Sequence, residues 1–179
     1  YTRTDNLTSL GCSPNAVCTV TVTAIDMAGN INNSFTQEVF VDSLSPNVTL
    51  LYPSNNSWVN TLVPVLNYSF TDTLSRNASC TTFVNNHSYT SIIENNTVKS
   101  VLATNSNLVA DAQYFWYVVC MDMADNAQSS EIRSISIDRT PPVSSIAFNN
   151  SPNSNGWHNA PILVNLSAAD QLSGINVIQ

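Results

Sequence analysis

Residues 114–126 read YFWYVVCMDMADN, and this stretch decides the fold class. In it Trp116, Val118 and Cys120 are two positions apart, and a period of two is typical of a β-strand with one buried face. The stretch ends in Asp-x-Ala-x-Asn, whose small and polar residues are typical of a tight turn. Residues 24–30, AIDMAGN, match its last seven residues at an offset of 96 positions. The sequence therefore predicts the same strand and turn twice.

Other segments recur at nearly the same distance. VDSLSP at 41–46 returns as IDRTPP at 137–142, 96 positions later, and DTLS at 72–75 returns as DQLS at 170–173, 98 positions later. A repeat of this length, made of short alternating segments between Asn, Ser, Gly and Pro, is the size of a seven-stranded β-sandwich. Helical periodicity is absent from the sequence. These observations predict tandem all-β repeats.

The offsets predict one complete repeat between two partial ones. Residues 43–138 form the complete repeat, residues 1–42 the C-terminal part of another (strands E–G), and residues 139–179 the N-terminal part of a third (strands A to the start of C). We predict strands A to G of the complete repeat near 47–52, 64–71, 79–85, 88–93, 97–104, 113–121 and 131–137. The predicted fold class is all-β, with tandem seven-stranded β-sandwiches.

The alternation in two strands predicts which side chains form the core. Leu66, Tyr68 and Phe70 are predicted to face inward in strand B, so that Asn67 faces outward. The third repeat has the same register, with Val164 facing inward in its strand B.

Charge and apolar run length exclude two classes of partner. The chain has 12 acidic against five basic residues and a net charge of -7, which gives no electrostatic basis for binding nucleic acid. No run of 18 apolar residues is present, so we expect no membrane span in this segment.

No catalytic motif is evident, and we expect no enzyme activity in this segment. The sequence has no Gly-x-Ser-x-Gly and no glycine-rich phosphate loop. His87 and His158 fall in loops of different repeats. Trp58 and Trp157 occupy equivalent positions, and we predict that they are core residues at the end of each sandwich rather than platforms for a sugar.

Asn-x-Ser/Thr sequons are about twice as frequent as this composition gives by chance. They begin at Asn6, Asn32, Asn47, Asn55, Asn67, Asn77, Asn86, Asn95, Asn149 and Asn165. The excess favours a secreted surface that carries N-linked glycans.

Three motifs together resemble a known family. Ala-x-Asp-x-Ala-Gly-Asn at 24–30, Ile-Asp-x-Thr-Pro-Pro at 137–142 and Asp-x-Leu-Ser-Gly at 170–174 look like the tandem immunoglobulin-like repeats of bacterial and archaeal cell-surface proteins. Residues 114–126 look most like archaeal versions, although Asp125 stands where the pattern has Gly. The resemblance implies immunoglobulin-like or fibronectin-like sandwiches at the cell surface, with stalk, adhesin or filament roles and no chemistry.

The four cysteines are expected to form two disulfides. In such a sandwich Cys80 in strand C and Cys120 in strand F are neighbours, which favours a cross-strand bridge. Cys12 and Cys18 bracket a short loop and favour a local bridge. A zinc site is disfavoured because no Cys-x-x-Cys or paired His spacing exists. Disulfides in turn indicate an oxidising, extracellular compartment.

Several acidic residues are expected to meet where one repeat joins the next. The predicted group comprises Asp42, Asp72, Asp122, Asp125 and Asn126. Asp138 and Asp170 are expected to lie at the next junction. Carboxylates this close repel one another unless a cation lies between them, and oxygen ligands suit calcium. The alternative is that these residues only cap turns and solvate linkers. No cofactor other than calcium is indicated.

The sequence favours a structural role outside the cell. We expect a glycosylated, disulfide-stabilised stalk or filament at a cell surface, whose partners are neighbouring repeats or copies of itself. The alternatives are an adhesin that recognises a glycan or protein through its loops, and accessory domains of a secreted enzyme. The offsets place Tyr1 in a strand E and Gln179 in a strand C. This predicts either a window on a longer repeat protein or strand sharing between copies.

Overall fold

The computed structural model describes residues 2–5, 10–104, 106 and 108–178, and every regular element in these residues is a β-strand. No helix that could cross a membrane occurs within these ranges. The strands are β1 (Ala16–Ile25), β2 (Ile31–Val41), β3 (Asn47–Tyr52), β4 (Ser57–Val59), β5 (Val65–Thr71), β6 (Asn77–Val84), β7 (His87–Glu94), β8 (Val98–Leu102), β9 (Gln113–Met121), β10 (Ala127–Ser129), β11 (Arg133–Ile137), β12 (Val143–Phe148) and β13 (Val164–Ala169).

Strands β3 to β11 form a sandwich of two sheets. One sheet has the order β3–β5–β8, and the other has the order β4–β11–β9–β6–β7 with β10 also paired to β9. Strands β3, β5 and β8 correspond to the predicted strands A, B and E, and β11, β9 and β6 correspond to G, F and C. The edge strands of the second sheet are β4 and β7. The predicted all-β sandwich is confirmed.

The core lies between these two sheets. Leu66, Tyr68 and Phe70 of β5 are fully buried, as are Trp116 and Val118 of β9. Each strand alternates buried and accessible residues, which confirms the inner faces predicted from the period of two. Removing side chains of this size from water stabilises the fold by about 1.5–3 kcal/mol each.

The strand predicted near 88–93 does not occupy the position of a strand D. Such a strand would pair with strand E, whereas β7 pairs antiparallel with β6, as Val84 opposite His87 shows. The cause is the turn between them, because Asn85 and Asn86 have φ angles of 44° and 63°. Two consecutive left-handed residues favour a tight hairpin, which folds β7 back onto β6 as a strand C′.

The two flanking units each contribute one antiparallel strand pair. β1 and β2 are equivalent to strands F and G, and β12 and β13 to strands A and B. No strand E precedes β1 within residues 2–5 and 10–15, and no start of strand C follows β13 within residues 170–178.

The flanking pairs do not bury the residues expected to face a core. Phe35 of β2 is 64% exposed, and Val164 of β13 is 48% exposed, because no second sheet covers them in the described residues. Trp157 is likewise 74% exposed, and Trp58 in the complete repeat is 48% exposed. The prediction that both tryptophans are core residues is therefore wrong; β4, which carries Trp58, is an edge strand.

Candidate functional site

Three carboxylates meet at the end of the complete repeat that adjoins the first unit. One oxygen each from Asp42, Asp72 and Asp122 lies within 4.8 Å of the others. Asp42 follows β2, while Asp72 and Asp122 follow β5 and β9, which end at the same pole of the sandwich. Asp122 is buried and the other two are half-buried. None of the ion pairs among the described residues involves them.

The turn after β9 fixes the Asp122 carboxylate. Its Oδ1 accepts hydrogen bonds from the backbone N–H groups of Ala124 and Asn126, at 2.8 and 2.9 Å, and its Oδ2 accepts one from Asn126 Nδ2 at 3.0 Å. Asn126 Nδ2 also donates to the backbone carbonyl of Asp42 at 3.3 Å. Asn126 therefore contacts Asp122 and the Asp42 backbone through its Nδ2 donor and ties the turn to the linker, while its role as a metal ligand stays a prediction.

The first unit has the same turn after β1. Asp26 Oδ1 accepts from the N–H groups of Ala28 and Asn30 at 2.9 and 2.8 Å, and Asn30 Nδ2 donates to Oδ2 at 2.7 Å. These bonds, first among them that from the Asn30 side chain, lower the pKa of Asp26 below its ordinary value. The recurring Asp-x-Ala-x-Asn motif is thus a turn motif in its own right.

Asp125 does not join the carboxylate cluster. It is exposed, it has a φ of 65°, and it occupies the position of Gly29, whose φ is 87°. Left-handed backbone is costly for most residues and is tolerated by Gly and to a lesser degree by Asp and Asn. Asp125 is not among the carboxylates that lie within 4.8 Å of one another, and its role as a metal ligand stays a prediction.

Ser75 connects the linker to both loops, and sequence reasoning missed it. Its Oγ donates to Asp42 Oδ2 at 3.4 Å and accepts from the N–H of Met123 at 3.2 Å. The turn before it is held by Asp72 Oδ1, which accepts from the N–H groups of Leu74 and Ser75, both at 2.8 Å. The recurrence of Asp-x-Leu-Ser at 170–173 was the available signal.

The second junction repeats this arrangement on its downstream side. Asp170 Oδ1 accepts from the N–H groups of Leu172 and Ser173 at 3.0 and 2.9 Å. Ser173 N–H also donates to Asp138 Oδ2 at 3.1 Å, while Asp138 Oδ1 accepts from the N–H of Thr140 at 2.9 Å. The bonds from Ser173 and Thr140 lower the pKa of Asp138.

On its upstream side each linker is held by the preceding unit. Ser43 donates from its backbone N–H and from its Oγ to Asn15 Oδ1, at 2.7 and 2.8 Å. At the same offset of 96, the N–H of Arg139 donates to Asp111 Oδ2 at 3.2 Å and Arg139 Nε to Oδ1 at 2.7 Å. This ion pair is the main reason that the pKa of Asp111 lies below its ordinary value. Sequence reasoning missed both pairs, although the offset relates them.

The structure contains both disulfides as paired from the sequence. Cys80 and Cys120 are directly opposite in β6 and β9, are fully buried, and have Cα atoms 4.0 Å apart. Cys12 and Cys18, with Cα atoms 5.6 Å apart, close the loop that leads into β1. No free cysteine remains among the described residues.

The sequons differ in accessibility. Asn6 lies outside the described residues. The exposed ones are Asn32, Asn47, Asn55, Asn77, Asn86, Asn149 and Asn165. Asn67 is half-buried on the central strand β5, and its Oδ1 is buried without a hydrogen-bond partner among the described atoms. Asn95 holds the backbone of Asp72 through both its amide atoms, at 3.1 and 2.6 Å. An outward-facing position thus leaves Asn67 half-buried rather than exposed.

No family model matches the chain, and no curated protein matches it in sequence. Solved structures that match include a tetra-tandem repeat from the extending region of a large adhesion protein, at 14% identity and a TM-score of 0.45, covering 92% of this chain and 49% of that one.

Two others are part of a 1.5-MDa bacterial ice-binding adhesin and fibronectin(III)-like modules of CbhA from Clostridium thermocellum. The adhesin matches at 18% identity and a TM-score of 0.44, over 83% of this chain and 49% of that one. The modules match at 14% identity and a TM-score of 0.42, over 70% and 64%. This chain thus spans about half to two thirds of the length of these three, and at such identities and TM-scores the likeness says nothing about what it binds.

Proposed function

We propose that this chain is a segment of an extracellular surface protein, in which β-sandwich repeats are held end to end as a stiff stalk of the kind that carries an adhesin. The observation that supports this most strongly is the clasp at each junction, by which we mean the hydrogen bonds that hold a linker to the units on both sides. Asn15 or Asp111 holds the residue after the linker aspartate. That aspartate is hydrogen-bonded from the following unit. At the first junction Ser75 donates to Asp42, and at the second Ser173 donates to Asp138.

The clasp restricts backbone rotations in the linker that its covalent structure leaves free. A linker of about five residues with one or two prolines is only partly restrained. Bonds to both neighbours, such as those from Arg139 N–H to Asp111 and from Ser173 N–H to Asp138, remove rotations about the intervening backbone. Contacts at equivalent positions in the two junctions would restrain both linkers in a similar way. A repeating, restrained angle is what a stalk requires.

The remaining features fit an extracellular location. The two disulfides indicate an oxidising compartment. Seven sequon asparagines are exposed among the described residues, which suits a surface covered with N-linked glycans. We propose that these exposed positions, and not Asn67 or Asn95, carry the sugars.

We further propose that calcium reinforces the first junction. Calcium–oxygen distances are about 2.3–2.6 Å, so two ligands of one ion lie within roughly 5 Å of each other. The carboxylates of Asp42, Asp72 and Asp122 meet this condition. Bound there, the two positive charges of calcium would offset two of the three negative charges and join the linker to both loops.

Amide relaxation measurements by nuclear magnetic resonance test the stalk, since they report how fast each unit tumbles. In the wild-type chain we expect the amides of β12 and β13 to tumble together with those of the complete repeat. In the double variant Asp111→Ala/Asp138→Ala they should tumble faster and independently. Asp125→Asn, at an exposed acidic residue outside the clasp, is the control. Independent tumbling in the wild-type chain would overturn the stiff-stalk proposal.

A further inference from the structure

An aromatic groove lies on the outer face of the complete repeat. Phe83 of β6 and Tyr117 of β9 are directly opposite, and their rings stack with centroids 4.9 Å apart and planes inclined by 15°. Phe115 is 58% exposed and adjoins them with Ile132 along a groove of about 500 Å³. All of the residues that line the groove are uncharged.

The surface next to the groove is mixed in chemistry. Beside the groove, Thr81 of β6 and Thr90 of β7 hydrogen-bond across the two strands at 2.9 Å, and further along β7 Ile92 is 77% exposed. The exposed aromatic and aliphatic side chains of the groove leave apolar area in water, and such patches commonly mark a site that something covers.

A sequon lies at the rim of this groove. Asn86 is exposed, lines the groove, and is the second residue of the tight turn between β6 and β7. Ser88, the hydroxyl residue of the sequon, pairs directly opposite Phe83 and is also exposed. Opposed residues on one face have Cβ atoms about 4.5–5.5 Å apart. The acceptor sequence and the aromatic surface are therefore immediate neighbours.

We propose that the glycan attached to Asn86 folds back over Phe83 and Tyr117 and fills the groove. This inference rests on the proposed function, because it requires the chain to be glycosylated. In the attachment, Asn86 Nδ2 forms a bond to the anomeric carbon of a sugar carried by a lipid-linked phosphate donor. The bond from that carbon to the donor phosphate breaks, the lipid phosphate leaves, and the amide nitrogen loses one proton.

The chemistry of the groove suits a neutral sugar. An aromatic ring has a partially negative face, and the C–H groups on one side of a sugar ring are partially positive, so the two stack favourably. Stacking also removes the apolar faces of Phe83 and Tyr117 from water. Gln113, at the edge of the groove, presents an amide suited to sugar hydroxyls. Covalent attachment at Asn86 keeps the sugar at high local concentration.

A double-mutant cycle in a host that glycosylates the chain tests the proposal. The variants are Asn86→Gln, Phe83→Thr and both together, with glycopeptide mass spectrometry to establish occupancy and thermal unfolding to measure stability. We expect the Asn86 glycan to raise the Tm of the complete repeat by about 4 °C or more, and this gain to vanish in the Phe83→Thr background. Sugar protons should also show ring-current shifts that Phe83→Thr removes.

Asn77→Gln is the matched control, since Asn77 is an exposed sequon at the opposite end of β6. The effect of its glycan on Tm should not depend on Phe83. Equal gains with and without Phe83, together with unshifted sugar protons, would overturn the inference and leave the stalk intact. Two other results would also overturn it. One is an unoccupied Asn86 in a chain whose other sequons carry sugar, and the other is a dimer of the chain that Phe83→Thr abolishes. If no sequon is occupied, the inference and the proposed glycosylation fail together, while the tumbling of the units still decides the stalk.

Discussion

The carboxylate of Asp111 holds Arg139 by two hydrogen bonds, one from the guanidinium and one from the backbone N–H. The pair is equivalent by position to Asn15 and Ser43 in the first unit. Different side chains thus preserve the same contact, in which a polar residue before strand F accepts from the backbone N–H two positions beyond strand G. Both junctions share the backbone N–H donor, which requires only a side-chain oxygen as its acceptor.

Comparing two substitutions of Asp111 separates the acceptor from the ion pair. Asp111→Asn keeps a carbonyl oxygen, as Asn15 has, and we expect only a small increase in hydrogen exchange at the Arg139 and Thr140 amides. Asp111→Ala removes the acceptor, and exchange should rise several-fold. The Ser43 amide is the internal control and should not change. Equal effects of the two substitutions would contradict the importance of the shared acceptor.

Much of the sandwich could be predicted from the sequence because a period of two is a local property. It placed Leu66 and Trp116 in the core. The period of two could not assign β7 to a sheet, because the assignment depends on which strand pairs with β7. The Asn85–Asn86 pair was a signal for the turn that decides this. The period also could not distinguish an outward residue from an exposed one, because the accessibility of Asn67 depends on strands β3 and β8 on either side.

The site was predicted in part for a similar reason. Topology brings together the ends of strands, so Asp42, Asp72 and Asp122 were identified. The contribution of Ser75 depends on the path of the turn that Asp72 holds. The position of Asp125 outside this group depends on the local path of the turn, in which its φ is 65°. Neither follows from residue type or spacing.

The acid titration of the second junction should follow the carboxylates of Asp111 and Asp138. Both have a pKa below the ordinary 3.8, Asp111 chiefly through Arg139 and Asp138 chiefly through Ser173. Since the folded pKa is the lower one, their stabilising contribution is present above about pH 4 and is lost as the pH falls through the folded values. Carbon-13 titration of the carboxyl groups should give midpoints below 3.8.

The two carboxylates are also expected to influence each other. The charge of Asp111 raises the pKa of Asp138, opposing the hydrogen bonds that lower it. Asp111→Asn should therefore move the Asp138 midpoint to a still lower pH. A midpoint that stays fixed or moves upward would contradict the proposed proximity.

The disulfide Cys80–Cys120 is expected to contribute most of the covalent stabilisation of the complete repeat. It links residues 40 apart, against six for Cys12–Cys18, so it restricts the unfolded chain more. On the chain-entropy model the longer loop contributes about 4 kcal/mol. Replacing Cys80 and Cys120 by Ala should lower the Tm of the complete repeat strongly, while replacing Cys12 and Cys18 should leave it nearly unchanged. Unreduced peptide mapping would verify the pairing in each variant.

Asp125→Gly should stabilise the turn after β9. The residue has a φ of 65°, and the equivalent position in the first unit is already Gly29. Glycine relieves the strain of the left-handed backbone, but it also gives the unfolded chain more freedom. The net increase in the free energy of unfolding is about 0.5 kcal/mol. Urea unfolding of the complete repeat measures it, with Asp125→Ala as the opposite change, expected to destabilise. A loss of stability in Asp125→Gly would indicate that the Asp125 side chain makes a contribution of its own.

Calcium should stiffen the first junction through Asp42, Asp72 and Asp122, and titration with calcium followed by chelator tests this. Without the ion the three carboxylates repel one another, so calcium should raise the Tm and slow hydrogen exchange in the linker at 42–46. The isosteric change Asp72→Asn keeps the size of the side chain but removes one charge, and it should weaken calcium binding at least several-fold.

The control for this site is Asp125→Asn, which removes one exposed negative charge outside the cluster and should leave calcium binding unchanged. Isothermal titration calorimetry measures the affinity of each variant directly. Equal weakening by Asp125→Asn and Asp72→Asn would mean that calcium only screens the acidic surface. An unchanged Tm and unchanged linker exchange on adding calcium would leave Asp72 and Asp122 as turn residues, and the junction would then depend on the hydrogen-bonded clasp alone.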